Sequence, residues 1–106
     1  MSQYNFSIIT VVKNDQQNIS KTIKSVLSQK KDVDLEYIII DGDSSDSTKK
    51  FIKSFKDEID IVVSEPDNGI YDAMNKGLEL SSGNIIGFCN SGDLILKNGL
   101  LLWYII

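Results

Sequence analysis

Leu35-Glu36-Tyr37-Ile38-Ile39-Ile40-Asp41-Gly42-Asp43-Ser44-Ser45-Asp46-Ser47-Thr48 decides how this chain folds. Ile38, Ile39 and Ile40 are β-branched and uninterrupted, the pattern of a strand covered on both faces, whereas the residues from Asp41 onward are turn formers with carboxylates and hydroxyls. A buried strand therefore ends by delivering acidic groups to a sheet edge. In open α/β sheets ligands sit in the crevice outside the carboxyl ends of the strands, which makes these residues the first candidates for chemistry. Phe88-Cys89-Asn90-Ser91-Gly92-Asp93 repeats the design. Two polar strand ends on one edge make a site.

The 106 residues, 42% apolar and 25% charged, suit one small domain with a real core, so residues 1–106 read as a single domain. A net charge of −4 argues against a nucleic-acid partner, because affinity for a phosphate backbone needs an overall basic face. Every cation is a lysine, with no Arg or His. That excludes a His proton relay, a Ser/His/Asp triad and any His metal ligand, and leaves metal or acid–base work to carboxylates. Cys89 has no second cysteine to pair with, which favours a reducing compartment. The start, Met1-Ser2-Gln3-Tyr4-Asn5, lacks the pattern of a signal peptide. The apolar tail from Leu100 to Ile106 is far shorter than the roughly 20 residues of a spanning helix. It reads as the start of an element that continues in a longer protein, so the chain is expected to be truncated, with the apolar end a surface for self-association.

Phe6 to Val12 is a nearly continuous β-branched run, the first strand. Ile19, Ile23, Val26 and Leu27 then share one helix face, with Asn18 as the expected N-cap and an end near Gln29. After the second strand, the Ser44-Ser45-Asp46 cluster offers caps for a helix with Phe51, Ile52 and Phe55 on its apolar side, ending near Lys56. Asp60 to Ser64 is the third strand, and Glu65-Pro66-Asp67-Asn68-Gly69 a loop. Ile70, Ala73, Met74 and Leu78 make a third helix that Ser81-Ser82-Gly83 terminates, before a fourth strand from Asn84 to Cys89. The alternation β-α-β-α-β-α-β predicts an α/β fold, a Rossmann-like parallel sheet with right-handed crossovers between two helical layers.

Three acidic stations follow from this order. At the first strand end, Asn14 and Asp15 read more simply as a turn and helix start than as ligand contacts. At the second, Asp41, Asp43 and Asp46 crowd one turn and repel unless a cation or hydrogen-bond donors relieve them. Capping explains Ser45 or Asp46; it explains Asp41 poorly, since a carboxylate at the end of a buried strand is placed to accept donors from a base or sugar. At the fourth, Asn90-Ser91-Gly92-Asp93 is either a tight turn or a loop in which Asp93 holds a divalent cation against phosphate oxygens. Between them, Gly69, Tyr71, Asp72 and Lys76 sit at the start of the third helix, where free N–H groups face the same crevice.

From about Phe6 to Gly99 this constellation resembles the family 2 glycosyltransferases of the GT-A fold, with Ser7-Ile8-Ile9-Thr10-Val11-Val12-Lys13-Asn14 matching the family's opening strand. Ile38 to Thr48 is similar to its second strand with an Asp and a Gly/Ser/Thr/Asp turn. Glu65 to Gly77 resembles the loop and helix of bacterial surface-polysaccharide transferases. The resemblance implies a three-layer α/β/α half of a GT-A domain that binds a nucleotide diphosphate sugar (UDP- or GDP-sugar). Asp41 would meet the base, Thr10, Val11 and Val12 would line its pocket, and Asn14, Asp43 and Ser91 would border it. Asp93 would be the metal ligand for Mg2+ or Mn2+, in place of the last carboxylate of an Asp-x-Asp motif. Gly92 stands where that motif's other carboxylate lies, and Met74 where many relatives carry Arg, which leaves diphosphate contact to Lys76 or Tyr71. The implied acceptor is a saccharide or a lipid-linked sugar, and the implied location is the cytoplasm, peripheral at the inner face of the membrane.

A leaving diphosphate needs positive charge, and an acceptor hydroxyl needs a base. Asp93 with its cation serves the first. For the second the resemblance points to a carboxylate beyond residue 106, so the chain is expected to hold donor-half chemistry and to be inactive alone. Two other readings compete. One is a flavodoxin-like or receiver domain using its Asp cluster for Mg2+, which expects a further strand with a terminal Lys after Asp93; the other is a noncatalytic remnant. A dinucleotide enzyme is disfavoured because Lys13-Asn14-Asp15-Gln16-Gln17 lacks the glycines that admit a pyrophosphate.

Overall fold

The computed structural model describes residues 4–97, 99 and 100. The β-branched runs form four parallel strands, β1 Phe6–Val12, β2 Leu35–Asp41, β3 Ile61–Ser64 and β4 Ile85–Phe88, in the order β3-β2-β1-β4. Helices α1 Ile19–Leu27, α2 Thr48–Lys53 and α3 Ile70–Leu80 connect them. The first two crossovers step the same way, from β1 to β2 to β3, so right-handedness puts α1 and α2 on one face. The third steps back across the whole sheet to β4, which puts α3 on the other. The three-layer α/β/α arrangement follows from strand order alone.

Alternation along the strands sorts the core accordingly. Tyr37 and Ile39 of β2 join Phe6, Ile8 and Val12 of β1 under Ile19, Ile23 and Val26 of α1 and Ile52 of α2. Ile38 and Ile40 join Ile9 under Ala73 of α3. This accounts for the unbroken isoleucine run: Ile38, Ile39 and Ile40 are all 0% exposed, and each full burial is worth about 2 kcal/mol relative to exposure. α3 can lie this close because position 77 has no side chain; a Cβ on Gly77 would stand 2.5 Å from Ile9 Cγ2.

Several element ends differ from expectation. α1 stops at Leu27 and tightens into a 3-10 turn, Ser28–Lys31. Asn18 occupies the N-cap position without a capping bond, because its side chain donates to Asp15 Oδ1 instead (3.0 Å). α2 ends at Lys53 rather than near Lys56, yet Phe55 in the following turn still packs on the core. Its cap comes from Asp46, whose Oδ1 accepts the Thr48 N–H at 2.9 Å. β3 starts at Ile61, since the side chain of Asp60 accepts the Tyr37 N–H (2.7 Å) and pairs with Lys30. Leu100 is half-buried on the α1 side of the core, and the rest of the apolar tail lies outside the described residues.

Candidate functional site

Parallel register brings the strand ends together: Val12 of β1 stands beside Asp41 of β2, and Asp41 beside Ser64 of β3. Asn14 is the hinge of this edge. It takes a left-handed conformation (φ 51°), which Asn tolerates better than most residues. Its Oδ1 accepts the Ser45 N–H at 2.7 Å, and its own N–H donates to Ser44 Oγ at 2.8 Å. Ser44 Oγ in turn donates to Asp41 Oδ1 (2.5 Å), while Ser64 Oγ donates to Asp41 Oδ2 (2.6 Å). Asp41 is 0% exposed.

The three carboxylates of this turn are relieved by protein donors. Asp43 pairs with Lys49, whose ammonium is thereby held more firmly protonated than an ordinary lysine. Asp46 has its pKa lowered, first by the hydrogen bond to the Thr48 side chain, and it also accepts the N–H groups of Thr48 and Gln16.

The β4 end is clamped to β1 and α1. Ser91 N–H donates to the Val11 carbonyl (3.1 Å), and Asn90 Oδ1 accepts the Val11 N–H (3.2 Å). Ser91 Oγ donates to Asp15 Oδ2 at 2.8 Å. Gly92 turns the chain at φ 99°, and the buried Thr22 hydroxyl spans the turn, accepting the Gly92 N–H (3.0 Å) and donating to the Asp93 carbonyl (2.9 Å). Beneath, Thr10 Oγ1 donates to the Cys89 carbonyl (2.6 Å) and therefore receives the Tyr37 hydroxyl proton (2.7 Å). Burial raises the Tyr37 phenol far above its usual range and pushes the Cys89 thiol up to about 11, so neither titrates near neutrality. Thr22→Val, which keeps the shape and deletes the hydroxyl, strands two backbone groups. It is expected to cost about 1–3 kcal/mol in a urea melt, with Thr22→Ser close to the parent.

The loop between β3 and α3 closes the third side. Asp67 Oδ1 accepts the Gly69 N–H (3.1 Å), and Asp72 Oδ2 accepts the Asn68 N–H (2.9 Å). Lys76 is committed to this loop through Glu65 (3.0 Å), the Pro66 carbonyl (3.1 Å) and Asp72 (3.8 Å), and its pKa is raised chiefly by the bond to Glu65. Asp67 folds over Gly42, where a Cβ would come within 2.7 Å of its carboxylate oxygen.

The result is a cleft of about 430 Å³ lined by Val11, Val12, Lys13, Asn14, Asp15, Asp67, Gly69, Ile70, Asn90 and Ser91. It opens between β1 and β4, where the chain reverses its direction of travel across the sheet, the place where open α/β sheets take ligands. Of the residues anticipated from sequence it gathers Val11, Val12, Asn14, Gly69 and Ser91. Thr10 and Asp41 are buried and outside its lining, Asp41 bordering instead a separate hollow with Lys49, Ile52, Lys53, Val62 and Ser64. Asp43, Tyr71, Asp72, Lys76 and Asp93 lie outside its lining, with Tyr71 80% exposed. Lys13, Asp67, Ile70 and Asn90 were not anticipated as site residues, and Asp15 was read as a turn and helix start in preference to a ligand contact. Lys13 is the lysine among the cleft's described residues, and its signal was position, the residue after an apolar strand.

Among the described residues no group of three or more acidic or cysteine side chains could hold a metal ion. Asp93 is exposed, with Oδ2 accepting the Asn90 N–H at 3.2 Å. A single carboxylate fits a hard cation that keeps water and takes its other oxygens from a phosphate.

The family model for glycosyl transferase family 2 matches residues 7–101. The Mycobacterium tuberculosis glycosyltransferase Rv1514c is 38% identical over 87 residues, which cover 82% of this chain and 33% of that protein. The Escherichia coli UDP-Glc:alpha-D-GlcNAc-diphosphoundecaprenol beta-1,3-glucosyltransferase WfgD is 36% identical over 101 residues, 94% of this chain and 40% of its own length. Among solved structures, S. aureus TarS 1-349 in complex with UDP-GlcNAc shares the fold with a TM-score of 0.82 at 21% identity, over 95% of this chain and 30% of that one. The chain thus spans about a third of the length of the curated relatives it matches.

Proposed function

The chain belongs to glycosyl transferase family 2, and from that premise we propose that its cleft binds the nucleotide diphosphate of a sugar donor. The sugar is passed to a saccharide or lipid-linked acceptor in cell-surface polysaccharide synthesis. The observation that carries this reading is the cleft at the β1/β4 reversal, where Lys13 and the start of α3 at Gly69 and Ile70 meet the backbone of Val11 and Val12. An ammonium and the first turn of a helix suit a diphosphate, the Gly69 N–H itself being held by Asp67.

Within this reading, Val11 and Val12 border the nucleotide, and Asn14 with Ser44 holds the turn that presents it. Asp41 holds Ser44, which accepts the N–H of the cleft residue Asn14, so that its support of the base site runs through that turn. Asp93 is the residue for Mg2+ or Mn2+, whose chemistry there is charge neutralisation of the diphosphate leaving group. Thr22 fixes the backbone on which Asp93 sits. No acceptor base is assigned among the described residues: Asp72 is engaged by the Asn68 N–H and stands near Lys76. Among the described residues no helix is long and apolar enough to cross a membrane, and the reading places the chain in the cytoplasm beside a membrane that carries the acceptor.

Calorimetric titration of the folded chain with UDP and GDP, with and without Mn2+, tests the proposal. Binding strengthened by the metal is expected, and Asp93→Ala is expected to remove that gain, about tenfold in Kd or 1.4 kcal/mol. A folded sample that binds neither nucleotide in either condition would sink the donor-site assignment.

A further inference from the structure

We propose that the outer face of the α1 and α2 layer docks on an anionic lipid bilayer. The charges of the chain are segregated: eight of the eleven lysines, and none of the fifteen acidic residues, fall within residues 19–31 and 48–56. Those segments are α1, the 3-10 turn after it, α2 and the first half of the turn that follows, which ends in Asp57 and Glu58. In a chain of net charge −4, the charged residues of α1, its 3-10 extension and α2 are therefore all lysine.

The lysines are also directed. Lys21, Lys24, Ser28 and Lys31 recur at steps of three and four residues on the exposed side of α1 and its extension, opposite the buried Ile19, Ile23 and Val26. On α2, Lys50 and Lys53 are exposed with Ile52 buried between them, and Lys56 follows, also exposed. α1 and α2 pack side by side on the same face of the sheet, so both stripes belong to one surface. Lys30 and Lys49 of this layer are paired with Asp60 and Asp43. Among the described residues, none of Lys21, Lys24, Lys31, Lys50, Lys53 and Lys56 has a carboxylate within ion-pair distance. The neighbouring acids in sequence, Asp32, Asp46, Asp57 and Glu58, fall beyond the helix ends.

Like charges one turn apart, such as Lys21 with Lys24 and Lys50 with Lys53, oppose helix formation slightly. Lys24, Lys50 and Lys53 sit in the last turns of their helices, where the helix dipole favours a cation. Lys21 and Lys56 lie outside those turns, and an anionic surface would relieve the repulsion of the whole array. The absence of arginine favours lipid over nucleic acid, because lysine is a point charge without the planar fork that reads phosphates in a fixed geometry. The aromatic residues of the layer, Phe51 and Phe55, are half-buried against the core and offer no stacking platform for bases. A bilayer's mobile head groups can match a broad array of ammoniums, each worth roughly fivefold in partition near the surface.

Flotation of the full chain with vesicles tests this, using pure phosphatidylcholine, and the same lipid with about 30% phosphatidylglycerol, at low and at high salt. The parent is expected to float with the anionic vesicles only, and to be released by salt. The quadruple variant Lys21→Gln, Lys24→Gln, Lys50→Gln, Lys53→Gln is expected to lose at least roughly a hundredfold in partition, while Lys97→Gln floats like the parent; circular-dichroism melts verify that both are folded. No flotation with anionic vesicles, equal flotation with neutral ones, an unaffected quadruple variant, or binding to an RNA duplex without binding to vesicles would each overturn the proposal. None of the four lysines lines the cleft, so the quadruple variant's UDP titration reports on the donor site separately.

Discussion

Asp41→Ala is expected to destabilise the fold by about 2–4 kcal/mol. The carboxylate is 0% exposed and accepts from Ser44 Oγ, Ser44 N–H and Ser64 Oγ. Alanine leaves those donors facing a cavity. Ser64 is exposed and can turn to water, but Ser44 is 4% exposed, and its hydroxyl also accepts the Asn14 N–H. The loss therefore spreads to Asn14, whose amide oxygen holds the Ser45 N–H and so the whole turn after β2. Asp41→Asn keeps the shape and one acceptor oxygen, and serine hydroxyls can reverse to accept from the new amide, so about 1 kcal/mol is expected for it. Urea melts of both variants, compared at unchanged slope, give the two values. Alanine and asparagine variants of equal stability would mean that the carboxylate is hydrated in solution rather than enclosed.

The same residue marks how far sequence reasoning reaches. That β2 is buried on both faces was legible in Ile38, Ile39 and Ile40, and that Asp41 ends it was legible in the turn formers that follow. The side to which Asp41 points was legible in principle as well, because it shares the alternation of Tyr37 and Ile39, which face α1 and α2. What period-two reasoning does not supply is the partner. Ser64 lies 23 residues away, and only the pairing of β3 with β2 brings it there. Thr22 is a parallel case. In sequence it is one more residue on the inner side of α1, and its hold on Gly92 and Asp93, across 70 and 71 residues, exists only once β4 lies beside β1. Asn14 was suspected as a ligand contact and does border the cleft, but its side chain is spent on the Ser45 turn. The family likeness ran ahead of all these contacts, since it rests on the order of strand ends, and that order is what hydrophobic patterning records best.

Glu36→Ala is expected to cost a similar 2–4 kcal/mol from the opposite end of the sheet. Glu36 is 6% exposed; its Oε1 accepts from Ser7 Oγ (2.8 Å) and the Ser82 N–H (2.9 Å), and its Oε2 from Ser82 Oγ (3.1 Å). Ser7 Oγ accepts in turn from the Gly83 N–H at 2.7 Å. This network fixes how the chain leaves α3 and enters β4, where backbone passes so close that a Cβ on Gly83 would stand 2.6 Å from the Ser7 nitrogen. Removing the carboxylate orphans the buried Ser7 donor, while the exposed Ser82 can turn to water, at the point where β4 pairs with β1. Glu36→Gln retains an acceptor oxygen and is expected to cost about 1 kcal/mol. Because Ser7 and Val11 are separated by most of β1, the alanine variant, once folded, is expected to bind UDP as the parent does. A drop in affinity without a drop in stability would instead show that the register of β4, carried along the strand to Asn90 and Ser91, is set by this carboxylate and governs the cleft.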